Sequence, residues 1–167
     1  MDIYYKSISE SGKQMIYYVC KYAPVELFKG FGQECAVLEE MPENFDKSDK
    51  IAHANLCGFG KSVIQAVLEG KVEELVLVNC CDSMRRVYDI IENTKKCKFL
   101  YMLDLPHEDN ECENIKFAQS IFRLKNAYER YSHRTFDREL FIKSFAKPES
   151  ERKPYIGCLL YTSPSPR

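Results

Sequence analysis

The chain has no run of about 18 apolar residues of the kind that spans a bilayer, and Met1–Gly12 holds no apolar stretch of a secretion signal. These absences argue against a transmembrane or exported protein, and a cytoplasmic location is expected. An excess of charge is also lacking. The 24 Lys and Arg and the 25 Asp and Glu are spread along the chain and leave a formal charge of -1, which excludes the footprint of a nucleic-acid or anionic-membrane binder. No internal repeat is present. No C-x-x-C pair exists, and His53, His107 and His133 stand at no ligand spacing to a cysteine, which argues against zinc.

Cysteine, by contrast, is abundant, with eight residues in 167. In a reducing compartment such thiols serve as metal ligands or as small buried apolar groups rather than as disulfides. A hydrophobic fraction of 45% and a charged fraction of 29% suit one soluble domain with its own core. The last ten residues, Cys158–Arg167, shift to a Ser/Pro-rich composition without hydrophobic period. They resemble a translated sequencing adapter, as if the reading frame ran off a DNA fragment, and are set aside as a foreign tail.

Short β-rich runs alternate with helical patterns along the rest. Strands are expected over Met15–Cys20, Glu34–Leu38, Glu74–Asn79 and Lys98–Asp104. Helices are expected over Val25–Gly30, Gly58–Glu69, Asp82–Asn93, Glu111–Arg130 and Phe136–Ala146. In the fourth of these the apolar residues Ile115, Ala118, Ile121 and Phe122 recur at helical spacing. Pro24 suits a helix start, Gly70 a helix end, and Asp82 or Ser83 an N-cap. Nearly continuous apolar strands alternating with helices predict an α/β fold, a parallel flavodoxin-like or Rossmann-like sheet flanked by helices and followed by a helical segment. The expected boundaries are 13–108 for the α/β domain, 109–157 for the helical segment and 158–167 for the tail.

Ligands of such sheets gather at the carboxyl ends of the strands, beside the starts of the following helices. Cys20 closes the first expected strand, Cys80 and Cys81 close the third, and Cys57 precedes a helix in Asn55-Leu56-Cys57-Gly58. A helix N-terminus favours thiolate, and Cys57 and Cys81 are best placed for that. The same positions suit ordinary buried cysteines, and spacing alone does not separate the two readings. Gly58-Phe59-Gly60-Lys61-Ser62 imitates the end of a phosphate-binding loop, but its first glycine would fall at Asn55. Arg85 and Arg86 suit either an anion or a solvated helix face. Cys35, Cys97 and Cys112 read as structural or exposed.

Four segments carry a family resemblance. Cys20-Lys21-Tyr22-Ala23-Pro24-Val25-Glu26-Leu27, Asn55-Leu56-Cys57, Asn79-Cys80-Cys81-Asp82-Ser83-Met84-Arg85-Arg86 and Phe99-Leu100-Tyr101-Met102-Leu103-Asp104-Leu105-Pro106 resemble, in order, motifs of the 2-hydroxyacyl-CoA dehydratase and benzoyl-CoA reductase family. The likeness covers roughly Gln14–Pro106. It implies a lyase whose homologous subunits each hold a 4Fe-4S cluster through three cysteines, with one iron left open. Cys57 and Cys81 would be two ligands, and the third would come from a C-terminal half that this chain lacks, so that the fragment alone is expected to be inactive. Glu26 matches a family glutamate near the open iron. An ATP-hydrolysing iron–sulfur activator protein would inject an electron, and a 2-hydroxyacyl-CoA substrate would lose water through a ketyl radical. Cys20 and Cys80 exceed the ligand set. They keep open two alternatives: a double-cubane-cluster reductase of small molecules, and a non-catalytic companion subunit that relays electrons.

Overall fold

The computed structural model describes residues 15–39, 41–106 and 108–145. His107 and the expected foreign tail lie outside the described residues. Four parallel strands form one sheet: β1 (Met15–Tyr18), β2 (Glu34–Val37), β3 (Glu74–Val78) and β4 (Phe99–Leu103), in the order β2-β1-β3-β4. The helices are α1 (Val25–Lys29), α2 (Gly58–Leu68), α3 (Asp82–Thr94), α4 (Glu111–Ser132) and α5 (Arg138–Phe145). The fold is thus the expected parallel α/β arrangement followed by helices, with each strand ending one or two residues before its apolar run does.

Strand alternation divides the core between two faces. Tyr17, Leu75 and Leu77 join Val63, Ile64 and Val67 of α2 and Met84, Val87 and Ile91 of α3 on one side. Ile16, Val76, Phe99 and Leu103 join Leu27 and Phe28 of α1 and Leu124 and Tyr128 of α4 on the other. β3 is buried along its whole length, as a central strand covered on both faces must be. Burial of this apolar surface, at about 25 cal/mol per Å² removed from water, is the main stabilising force.

Tyr128 anchors the α4 face. Its ring meets Phe28, Phe31 and Phe99 edge-on at centroid distances of 5.2, 5.1 and 5.1 Å, a preferred geometry for aromatic pairs. The expected helix forms, and of its four noted apolar residues Ile121 packs against the sheet. Ile115, Ala118 and Phe122 are exposed, while Phe117, Ile121, Leu124, Tyr128 and Tyr131 turn inward at spacings of four, three, four and three.

The chain between β2 and α2 holds one element that hydrophobic period did not announce, a 3-10 turn at Ser48–Lys50. Gln65 of α2 fixes it. Its Oε1 accepts from Lys47 N at 3.1 Å and Ser48 N at 2.9 Å, and its Nε2 donates to Glu69 Oε1 at 2.7 Å. The loop leading to Cys57 is thereby tied to the helix that Cys57 begins. At the other end of α2, Gly70 takes a φ of +75°, the left-handed conformation that suits a helix-terminating glycine. α5 packs back against α1, where the Phe136 ring occupies the space that a side chain at Gly30 would fill.

Candidate thiol site at the carboxyl edge of the sheet

From β1 the chain turns toward β2 on one side of the sheet, and it later returns to β3 on the other. The carboxyl ends of neighbouring strands β1 and β3 therefore form the topological switch point, where open α/β sheets have their crevice. Cys20 lies just past β1, and its carbonyl accepts from Ala23 N at 3.0 Å in the turn that leads to Pro24 and α1. Cys80 and Cys81 lie just past β3. Cys80 N donates back to Val78 O at 2.8 Å, a tight turn that folds the chain over the strand end.

Cys81 is then the N-cap of α3, with extended backbone and its carbonyl accepting from Met84 N at 3.1 Å. The cap thus falls one residue before the expected Asp82, which forms the first turn. Cys57 is the N-cap of α2. Its Sγ accepts from Gly60 N at 3.3 Å, so a thiol does what a serine or aspartate oxygen usually does. Because α2 runs back toward the start of β3, its N-terminus belongs to the same carboxyl edge.

Gly60 explains how the two cysteine-capped helices come so close. A Cβ there would lie 3.0 Å from Val87 Cγ2 of α3 and 3.2 Å from Leu56 Cγ. The glycine therefore lets the two helices pack closely. Lys61 is paired with Asp49 at 2.7 Å, and Ser62 Oγ donates to Gly58 O at 2.9 Å. Between the start of α3 and the loop before α2 opens a cleft of about 480 Å³, lined among others by His53, Asn55, Leu56, Asp82, Ser83 and Arg86. Cys57 and Cys81 each directly adjoin a lining residue in sequence, and both are exposed.

Cys80 has the thiols of Cys20 and Cys81 as neighbours. Partial burial first, and then these neighbours, push its thiol up to about 11. Among the described residues no three Cys, His, Asp or Glu side chains converge tightly enough to hold a metal ion. Glu26 is half-buried in the first turn of α1, on the same edge of the sheet. The remaining thiols lie elsewhere. Burial pushes Cys35 of β2 up to about 12 and Cys97 up to about 11. Cys97 Sγ donates to the carbonyls of Glu73 and Phe99, both at 3.2 Å, and Cys112 is exposed in the first turn of α4.

One feature of the edge has no sequence signal beyond the motif that contains part of it. Arg85 Nε donates to Asn79 Oδ1 at 2.6 Å, and Asn79 Nδ2 donates to Asp104 Oδ1 at 2.9 Å. This chain of polar groups ties the ends of β3 and β4 to α3 and steadies the turn that presents Cys80 and Cys81. Asp104 is 25 residues from Asn79, so only the parallel pairing of β3 with β4 brings them together. Arg86 instead pairs with Asp82 one turn away, at 2.9 Å.

No helix among the described residues is long and apolar enough to cross a membrane. Comparison with curated proteins gives no match. The family model described as 2-hydroxyglutaryl-CoA dehydratase, D-component, matches residues 20–155, a span that takes in Cys20, Cys57, Cys80, Cys81 and every element from α1 through α5. On that match the chain belongs to the 2-hydroxyglutaryl-CoA dehydratase D-component family.

Proposed function

We propose that this protein is the cluster-carrying subunit of a 2-hydroxyacyl-CoA dehydratase-type lyase, with Cys57 and Cys81 as two ligands of a 4Fe-4S cluster. The observation that carries this reading is the occupation of two neighbouring helix N-caps by exposed cysteines beside one cleft, at the carboxyl edge of a parallel sheet. Thiolates are the donors that iron–sulfur clusters use, and the donor chemistry at this edge fits. The third ligand, as the family resemblance implies, would be a further cysteine from the C-terminal half of the family's fold.

Such a cluster, when bound, supplies an iron with an open coordination position and a low-potential route for one electron. The chain's own groups prepare the place for it. Cys57 and Cys81 stand at the N-caps of α2 and α3, where the first helical N–H groups lack partners within the helix. The Gly60 N–H donated to Cys57 Sγ fixes the direction of that sulfur. Glu26 moves a proton at the departing hydroxyl of the substrate. A homologous subunit and an ATP-dependent activator protein complete the assembly, and a 2-hydroxyacyl-CoA is the substrate. A second reading, a double-cubane cluster that reduces small molecules, is favoured by the presence of Cys20 and Cys80 at the same edge of the sheet as Cys57 and Cys81.

The test is anaerobic reconstitution of the full-length protein with ferrous iron and sulfide. About four irons per chain are expected, and Cys57→Ala and Cys81→Ala should each abolish uptake while Cys112→Ala retains it. About eight irons, lost on Cys20→Ala or Cys80→Ala, would establish the double-cubane reading instead. A full-length protein that takes up no iron overturns both.

A further inference from the structure

Cys20 and Cys80 stand just past the carboxyl ends of two strands, and the two-ligand reading uses neither residue. β1 and β3 are adjacent strands, registered Ile16 with Glu74 and Tyr18 with Val76. Continued by two residues, that register sets Cys20 beside Val78. The turn in which Cys80 N bonds back to Val78 O then folds Cys80 toward the same level. Neighbouring strands run about 4.8 Å apart, so a turn that returns Cys80 to the level of Val78 would bring the two α-carbons into the roughly 4.4–6.8 Å that an unstrained disulfide requires. Cys20 is half-buried and Cys80 exposed, so a small reagent reaches the pair from solvent.

We propose that Cys20 and Cys80 are a reversible disulfide site, closing across the switch point between β1 and β3 by exchange with a low-molecular-weight disulfide. The reaction balances within these partners. Two cysteine S–H bonds break and one S–S bond forms, while the small disulfide takes up the electron pair and both protons and leaves as two thiols. Cys81 is the poorer partner for Cys80. Adjacent cysteines close a small ring that the preferred disulfide dihedral fits badly, and Cys81 is held in extended backbone as the cap of α3. The closed bond staples the β1–α1 turn to the β3–α3 turn and leaves Cys57 and Cys81 as free thiols. The inference stands without the cluster reading, because it needs neither iron nor substrate.

The test treats the reduced full-length protein, free of iron, with hydroxyethyl disulfide, blocks remaining thiols, digests with trypsin without reduction and maps the peptides. Most of the protein is expected to carry peptide Gln14–Lys21 joined to Val72–Arg85, two hydrogens lighter than the sum of the parts. Cys81→Ser and Cys57→Ser should both keep this link, and Cys80→Ser should remove it. A bond between Cys80 and Cys81, loss of the link in Cys81→Ser, or the same mixture of pairs before and after unfolding in urea would overturn the proposal. So would protein that carries only mixed disulfides with the reagent. Because Cys81→Ser keeps both proposed partners, it separates a wrong pairing from a failure of Cys80→Ser to fold.

Discussion

At the scale of single residues, Glu74 and the outlying cysteines show how the fold treats groups that it buries. Glu74 opens β3 fully buried, with Tyr131 Oη donating to its Oε1 at 3.0 Å and Tyr128 Oη to its Oε2 at 3.4 Å. Desolvation, and then the Glu74 charge, raise the Tyr128 phenol well above its ordinary range. Removing the shorter bond leaves a buried carboxyl less well satisfied. Tyr131→Phe is therefore expected to cost about 1–3 kcal/mol in urea unfolding, and an unchanged midpoint would show that another donor takes over. Cys97 makes a prediction in pH. Its folded-state value, about 11 by burial, lies above the ordinary 9.0, so the folded protein holds this proton more tightly than the unfolded chain does. The stability it contributes is complete below pH 9 and is lost as pH rises through about 11. Correspondingly, alkylation of Cys97 should be slow at pH 8 and gain close to tenfold per pH unit up to about 11. Mass spectrometry of the labelled protein, with Cys112 as the exposed reference, measures this.

Among elements, α4 carries the sharpest prediction because only one of its apolar stripes packs on the sheet. Leu124→Ala should cost about 2–5 kcal/mol, as a fully buried leucine does. Phe122→Ser should change stability by no more than about 0.5 kcal/mol. The reverse result would mean that the other stripe is the packed one. Helical spacing in the sequence marks apolar residues without telling which of two stripes lies over the sheet, and here it is the one through Phe117, Ile121, Leu124 and Tyr128. The packing of α2 on α3 gives a second test. Gly60→Ala gains about 1 kcal/mol of helix propensity but sets a methyl 3.0 Å from Val87 Cγ2. A net loss of about 1–2 kcal/mol is expected, together with slower iron uptake as the two capping cysteines move apart. The elements themselves were legible, since continuous apolar strands, Pro24 and Gly70 punctuate the chain plainly. The 3-10 turn at Ser48–Lys50 was not, because Gln65, 15 residues beyond Lys50, is what fixes it.

Seen as a whole, the molecule places Cys20, Cys57, Cys80 and Cys81 on one edge, and the sequence already showed why: each follows a strand or precedes a helix. What it could not show is that β1 and β3 are neighbours, because strand order is a property of the assembled sheet. The placing of Cys20 and Cys80 past adjacent strand ends and the Arg85–Asn79–Asp104 chain both depend on that order or on the neighbouring pairing of β3 with β4. The same order has a consequence for how the molecule forms. Met15 pairs with Glu34 and Glu74 with Phe99, separations of 19 and 25 residues, whereas Ile16 pairs with Glu74, 58 residues away. Each outer pairing closes a modest loop with its own crossover helix, and the central pairing must close the longest. During refolding the two halves are then expected to gain helix and strand before they dock. The edge that bears the thiols exists only after docking, so linkage of Cys20 to Cys80 in a refolding time course should lag behind the far-ultraviolet dichroism and mark the final step of assembly.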